Sequence, residues 1–296
     1  MTEGRSGFVS IVGRPNSGKS TLLNLLVGDK ISIVTSKPQT TRRAVRGIVT
    51  RPEGQIIFLD TPGIHKPIHR MNERMMKTVR SALSDIDVLA LIVDASVPFG
   101  RGDEFAIELV RPVAVPKLLL LNKVDKIRKE NLLPQIERYA KSEQFAEIFP
   151  ISALTGENTD RFVSGIFSYL PEGPLLYPED QITDQPERAI AAEFVREKLI
   201  EATRDELPYS TAVVIDRFEE DEALNRIYAT IFVERESQKA IIIGKGGVLL
   251  KNVGTAARQE LERFLSKKIY LELHVKVKKG WRDDEDALTQ FGLGEG

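Results

Sequence analysis

Apolar and polar positions along this chain keep one rhythm up to about residue 170 and another after it. From Phe8 to Leu170 short apolar runs alternate with amphipathic stretches, the alternation of a mostly parallel sheet covered by helices. The runs at 8–12, 56–60, 88–94, 117–122 and 148–152 read as buried strands, each closed by a polar or glycine signal. Helices fit at 19–26, 73–83, 103–109, 131–139 and 159–170. Residues 44–50 read as an edge strand, because arginines interrupt the apolar positions before the turn at 52–54.

Pro171, Gly173, Pro174, Pro178 and Pro186 then punctuate a stretch without periodicity, which predicts a linker or crossing segment. A helix is expected from near Pro186, since Ala189, Ala192, Val195, Leu199, Ala202 and Leu207 recur at helical spacing before Pro208. Strands begin at 212–215 and recur at 227–233 and 269–277, where apolar residues alternate. An apolar helical stripe runs from Val248 through Val253, Ala257 and Leu261 to Leu265, and the isoleucines at 241–243 read as a strand edge. The fold class is therefore α/β, a doubly wound domain at 1–172, followed by a linker at 173–186 and a smaller α+β domain at 187–296 of order α-β-β-α-β.

Composition narrows the chemistry. The 296 residues, 42% hydrophobic, suffice for two cores. The absence of cysteine excludes disulfides and thiolate chemistry, and the scattered His65, His69 and His274 argue against a zinc cluster. A net charge of -1 offers no bulk attraction to polyanions, so nucleic-acid binding would need a local basic arrangement. A polar beginning and no apolar stretch of bilayer-spanning length lead to the expectation of a cytoplasmic protein.

Residues 13–20, Gly-Arg-Pro-Asn-Ser-Gly-Lys-Ser, fit G-x-x-x-x-G-K-[ST] between a predicted strand and helix. Backbone N–H groups of such a loop satisfy phosphate oxygens, Lys19 adds charge for the β and γ phosphates, and Ser20 offers a hydroxyl to Mg²⁺. The phosphate-binding candidates are Gly13, Asn16, Ser17, Gly18, Lys19, Ser20 and Thr21. At the end of the 56–60 strand, Asp60 is placed to reach Mg²⁺ through a water, and Gly63 to sense the γ-phosphate with its N–H.

With Asn122-Lys123-Val124-Asp125 following an apolar strand, the sequence resembles the guanine-nucleotide-binding GTPases. That resemblance implies that Asn122 contacts the base, Lys123 packs over it and Asp125 accepts two hydrogen bonds from guanine, which adenine cannot donate. On its own, Asp125 also reads as a helix cap or turn aspartate. Ser152, Ala153 and Leu154 occupy the segment whose backbone contacts the guanine oxygen in that family. The family pattern makes Thr41 the threonine that joins Mg²⁺ when GTP is bound, with Thr40 as competitor; residues 33–43 and 65–76 would be the two switches. Lys19, Thr41 and Gly63 are the catalytic candidates. Ile64 stands where many signalling GTPases carry a water-orienting glutamine, and isoleucine has no hydrogen-bonding atom. His65 reads as a switch histidine on the surface rather than a base.

Further on, Gly244-Lys245-Gly246-Gly247 precedes the long apolar helix and resembles the backbone clamp of a type II KH domain. Without Cβ atoms the loop admits a sugar-phosphate backbone. Candidate RNA contacts are Ile243, Gly244, Lys245, Gly246, Gly247, Lys251, Lys279, Trp281 and Arg282, with Trp281 offered as a stacking surface; solvated basic residues at a strand end are the alternative for the last group.

Taken in order, Pro38-Gln39-Thr40-Thr41-Arg42, Asp60-Thr61-Pro62-Gly63-Ile64-His65, Asn122 to Asp125, the glycine loop and Lys279-Gly280-Trp281-Arg282-Asp283-Asp284 resemble the Era-like GTPases over nearly the whole chain. The resemblance implies Mg²⁺-dependent hydrolysis of GTP to GDP and binding of the single-stranded 3′ end of 16S rRNA, with no DNA partner. It further implies a role in assembly of the small (30S) ribosomal subunit, and a cytoplasmic protein with peripheral inner-membrane association.

Overall fold

In the computed structural model, residues 4–38, 40–141 and 145–293 are described. Gln39 of the switch motif lies outside them, as does the side chain of Lys129. The first part opens with β1 (Arg5–Val12), buried on both faces from Val9 to Val12, with Ser10 the one polar residue in that run. It is followed by α1 (Lys19–Val27), β2 (Val45–Arg51), β3 (Gly54–Asp60), α2 (Arg70–Ser81), β4 (Val88–Asp94) and α3 (Arg101–Val110). Then come β5 (Lys117–Asn122), α4 (Leu132–Ala140), β6 (Glu147–Pro150) and α5 (Thr159–Phe167).

The 6-stranded sheet has the order β2-β3-β1-β4-β5-β6. All neighbours are parallel except β2 and β3, so the arginine-interrupted run is the antiparallel edge. On one face Leu89, Leu91, Leu119 and Leu121 pack against Met76 and Val79 of α2 and Ala106 and Val110 of α3. Strand residues of opposite parity turn the other way, where Phe58 and Phe149 meet Phe162 of α5. The sheet order places the carboxyl ends of β1, β3, β4 and β5 along one edge, where ligands bind in open α/β folds.

The second part contains α6 (Glu187–Ala202), α7 (Leu207–Ser210), β7 (Ala212–Glu219), β8 (Leu224–Val233), α8 (Glu236–Ile243), α9 (Val248–Leu265), β9 (Lys268–Val277) and α10 (Glu285–Gln290). Its 3-stranded sheet runs β7-β8-β9, with β7 antiparallel and β9 parallel to β8. Ile227, Ala229, Ile231 and Val233 of β8 pack with Phe194 and Leu199 of α6 and with Val253, Ala257 and Leu261 of α9.

Two sequence expectations are corrected, and one element is added. The isoleucines 241–243 end helix α8 instead of forming a strand edge, so the order is α-β-β-α-α-β once the short α7 is set aside. Gly244 N–H donates to the Ala240 carbonyl at 3.0 Å, the four-residue bond of a helix turn that a pleated edge does not make. Helix α6 stops at Ala202, and Pro208 sits in the first turn of the short α7, where a proline costs no hydrogen bond. The tail after Val277 folds into α10, capped by Asp284, whose carboxylate accepts from the N–H groups of Asp286 and Ala287.

Two compact units share the chain. The first takes residues 1–32, 41–66 and 75–184; the second takes 33–40, 67–74 and 185–296. The proline-rich stretch is thus largely tied to the first unit: the Gln55 side chain accepts from the N–H groups of Leu176 and Tyr177 at 2.9 and 2.8 Å, and Ile48 N–H donates to the Ile182 carbonyl.

Candidate nucleotide and RNA sites

The turn between β1 and α1 is built around a backbone that only glycine takes comfortably. Gly18 has φ 104°, and a Cβ there would stand 2.2 Å from the Asn122 side-chain nitrogen. Helix α1 follows directly, so its first N–H groups face the turn. Lys19 lies beneath it, 6% exposed, donating to the carbonyls of Gly13 and Arg14 at 3.3 and 3.2 Å. Burial pulls its ammonium below the usual lysine range, against the opposing charge of Asp60.

Asp60 ends β3 fully buried. One carboxylate oxygen accepts from Ser20 at 2.6 Å and Ser32 at 3.1 Å and lies 3.5 Å from the Thr41 hydroxyl; Ser20 and Thr41 are 3.0 Å apart. Its other oxygen, Oδ1, is buried without a hydrogen-bond partner. An orphaned anionic oxygen beside converging hydroxyls is a hard-oxygen donor set, and Mg²⁺ fits it. Burial raises the Asp60 carboxyl above the ordinary range, opposed by Lys19 and the hydroxyl hydrogen bonds. Of the two candidate threonines, Thr41 joins this cluster, whereas Thr40 bonds Thr35 and the Lys37 carbonyl.

Gly63 passes so close to Pro15 that a Cβ would lie 2.8 Å from the proline Cα. The next N–H, of Ile64, donates to the Gly13 carbonyl at 2.9 Å, which ties the second loop to the first. Ile64 itself is buried in the core with Val12 and Met76, so it contributes no polar group to the site. His65 is fixed by an Nδ1 contact of 2.6 Å to the Gly63 carbonyl.

At the carboxyl end of β5, Asn122 acts as a bridge. Its amide donates to the Ser17 carbonyl at 2.7 Å and its oxygen accepts from Ala153 N–H at 2.8 Å, joining the phosphate loop to the 152–154 loop. Lys123, in the left-handed region at φ 67°, donates to the Asn16 carbonyl at 2.7 Å and to Asp94 at 2.5 Å. Asp125 is exposed, with one oxygen held by the Ser152 hydroxyl at 2.6 Å. Leu154, in the 152–154 loop, exposes 71% of its surface. The sequence reading missed Asp94, Ser32 and Asn24, whose side chain holds Ile31 N–H, Ser32 N–H and the Ser32 carbonyl. For Asp94 a signal existed, an aspartate ending the apolar strand β4.

In the second unit the glycine turn stands between α8 and α9. Gly244, Gly246 and Gly247 have φ 72°, 62° and 77°, and added Cβ atoms at the last two would meet nothing within 4 Å. The turn is therefore an open backbone surface with the N-terminus of α9 beside it. Lys245 and Lys251 are exposed, and Ile241 and Val248 expose 52% and 58% of their surface next to the turn, with Ile243 partly open. Lys279 is also exposed.

Trp281 is a correction. The indole is fully buried, donates to the Ser210 carbonyl at 3.1 Å and packs edge-on against Phe291. It cannot stack on a nucleobase; a large apolar ring with one N–H is worth more in a core that satisfies it. The Arg282 guanidinium is paired with Glu234 at 2.6 Å.

These features define a P-loop domain of the guanine-nucleotide type followed by a KH domain. The family described as 50S ribosome-binding GTPase matches residues 8–123, and the KH domain matches residues 206–282. GTPase Era of Staphylococcus haemolyticus is 50% identical over 294 residues, 99% of this chain and 98% of its own length. The chain belongs to the Era family of GTPases. A crystal structure of Era in complex with MgGDPNP and nucleotides 1506–1542 of 16S ribosomal RNA superposes with TM-score 0.96 at 44% identity, covering 99% of this chain and 100% of that one. A tyrosine-to-alanine variant of Aquifex aeolicus Era bound to GDP and AlF4⁻ gives TM-score 0.94 at 44% identity, covering 98% and 100%.

Proposed function

We propose that this chain hydrolyses GTP to GDP and phosphate, and that the two nucleotide states control its hold on the single-stranded 3′ end of 16S rRNA during assembly of the small (30S) ribosomal subunit. The observation that carries the reading is the convergence of Ser20, Thr41 and Asp60 oxygens beside the phosphate loop, with Asp60 Oδ1 lacking a protein partner. The RNA half is supported by the open Gly244–Gly247 turn and by the relative crystallised with MgGDPNP and 16S rRNA nucleotides.

Bound at Ser20, Thr41 and Asp60, Mg²⁺ would neutralise charge between the β and γ phosphates. Lys19 and the N–H groups of the 13–21 loop hold the phosphates, and Gly63 N–H faces the γ-phosphate in the GTP state. Asp125 accepts the two guanine N–H bonds, Lys123 covers the base, and Ala153 presents backbone to its carbonyl. Ile64 cannot orient water, so attack is in line with a water held by another group, and intrinsic turnover is slow. In the KH domain Gly244 to Gly247, with Lys245, Lys251 and Lys279 nearby, receive the RNA backbone, and Ile243 lies along the base groove.

Among the described residues no helix is long and apolar enough to cross a membrane, so the inner-membrane association that the resemblance implies would be peripheral. The test is phosphate release from GTP and ATP with Mg²⁺, together with RNA-fragment binding in the GDP and GDPNP states. GTP-selective turnover with state-dependent RNA affinity is expected. Equal use of ATP, or identical RNA affinity in both states, overturns the reading.

A further inference from the structure

Helix α6 carries two charged side chains where its packing is otherwise apolar. Arg196 and Glu197 are 2% and 1% exposed, in a helix whose neighbouring buried positions include Phe194, Val195, Leu199 and Ile200. Buried charges persist only against a large desolvation cost, so what they hold matters.

Both hold main chain of the segment 33–40. Glu197 Oε1 accepts from Val34 N–H at 2.9 Å. The Arg196 guanidinium donates to the Thr40 carbonyl and is braced by Glu193, while its Nη1 is buried without a partner. Between these points the Lys37 ammonium donates to the carbonyls of Ile200 and Thr203, at the end of α6 where the helix dipole favours a cation. Ile33 enters the core of the same unit. Lys198, next to Glu197 at 3.1 Å, reaches Glu260 of α9 at 2.8 Å, the helix that leaves the glycine turn.

The residue after Thr40 is Thr41, whose hydroxyl stands 3.0 Å from Ser20. We propose that Arg196 and Glu197 are positioning residues of the GTPase reaction: by fixing the backbone at Val34 and at Thr40 they set where Thr41 presents its hydroxyl. The proposal rests on the reading of Thr41 as a metal ligand in the GTP state.

The experiment uses the full chain and the variants Glu197→Gln, Arg196→Met, Lys37→Met and Thr41→Ala. Turnover is followed against Mg²⁺ concentration, and GDPNP and GDP affinities are measured separately. Each of the first three should lower kcat about tenfold, the effect of losing one hydrogen bond to a charged group. Each should also raise the Mg²⁺ needed with GDPNP while leaving GDP affinity unchanged. A merely structural role would lower both affinities by the same factor, and that result overturns the proposal. So does wild-type Mg²⁺ dependence in the three variants while Thr41→Ala is impaired. If Thr41→Ala itself keeps wild-type Mg²⁺ dependence, the reading of Thr41 fails and the proposal falls with it. Should the two buried substitutions unfold the chain, Lys37→Met, at a partly exposed position, decides.

Discussion

Ser20 and Asp60, 40 residues apart, meet through a 2.6 Å hydrogen bond from hydroxyl to carboxylate at the ends of neighbouring elements. The parallel register of β1 and β3 makes this meeting unavoidable: Ile11 pairs with Asp60, and the loop leaving β1 runs straight into α1 and Ser20. The donor set proposed for the metal is thus a product of sheet register.

Guanine selectivity should reside in Asp125. Asp125→Asn replaces an acceptor pair by an amide that can donate, so affinity for GTP should fall roughly a hundredfold or more, while xanthine nucleotides, which carry a carbonyl in place of the amino group, should gain. Competition binding with GTP, XTP and ATP measures it; unchanged GTP preference would show that the base is read elsewhere.

Asp94 should support Lys123 in a pH-dependent way. Burial raises its carboxyl, but hydrogen bonds from Lys123 and Ser96 outweigh this and leave it below the usual aspartate range. A folded-state value below the unfolded one means stability present above the unfolded pKa and lost as pH falls through the folded one. Asp94→Asn should remove that acid-side contribution and weaken GTP binding about tenfold, the worth of one charged hydrogen bond. Urea unfolding at pH values from 7 down to about 3 checks the first effect, and nucleotide titration the second.

Replacing Lys245 and Gly246 together by aspartate should abolish RNA binding and spare nucleotide binding. Position 246 faces open space, and aspartate tolerates its left-handed backbone, so the loss reports charge and crowding at the turn instead of unfolding. Fluorescence anisotropy with a single-stranded 16S rRNA fragment measures the first and mant-GDP binding the second.

Trp281 should matter to stability and not to stacking. Trp281→Ala should cost about 3–5 kcal/mol by opening a cavity and orphaning the Ser210 carbonyl. Trp281→Phe, which keeps most of the volume, should retain RNA affinity. A selective loss of RNA binding in the phenylalanine variant, with unchanged denaturant midpoint, would restore the stacking role.

What was legible beforehand is contiguous. Gly13 to Ser20, Asp60 to Gly63, Asn122 to Asp125 and Gly244 to Gly247 each place their chemistry within a few residues, on a turn whose conformation the local sequence dictates. The two-unit plan was equally readable, since the change from buried runs to alternating strands is a change of period. The isoleucines at 241–243 misled because a short apolar run suits a strand or a buried helix turn alike.

The chain alone therefore named the candidates for cradling phosphate, reading guanine and admitting an RNA backbone, because those tasks depend on residue type and on turns a few residues long. Only the tertiary structure decided that Asp94 bonds Lys123 and that Trp281 lies in a core. It likewise decided that Arg196 and Glu197 hold the backbone of 33–40. Each of these depends on partners distant in sequence, brought together by register and burial, and a charged or aromatic residue carries no local mark of which partner it will find.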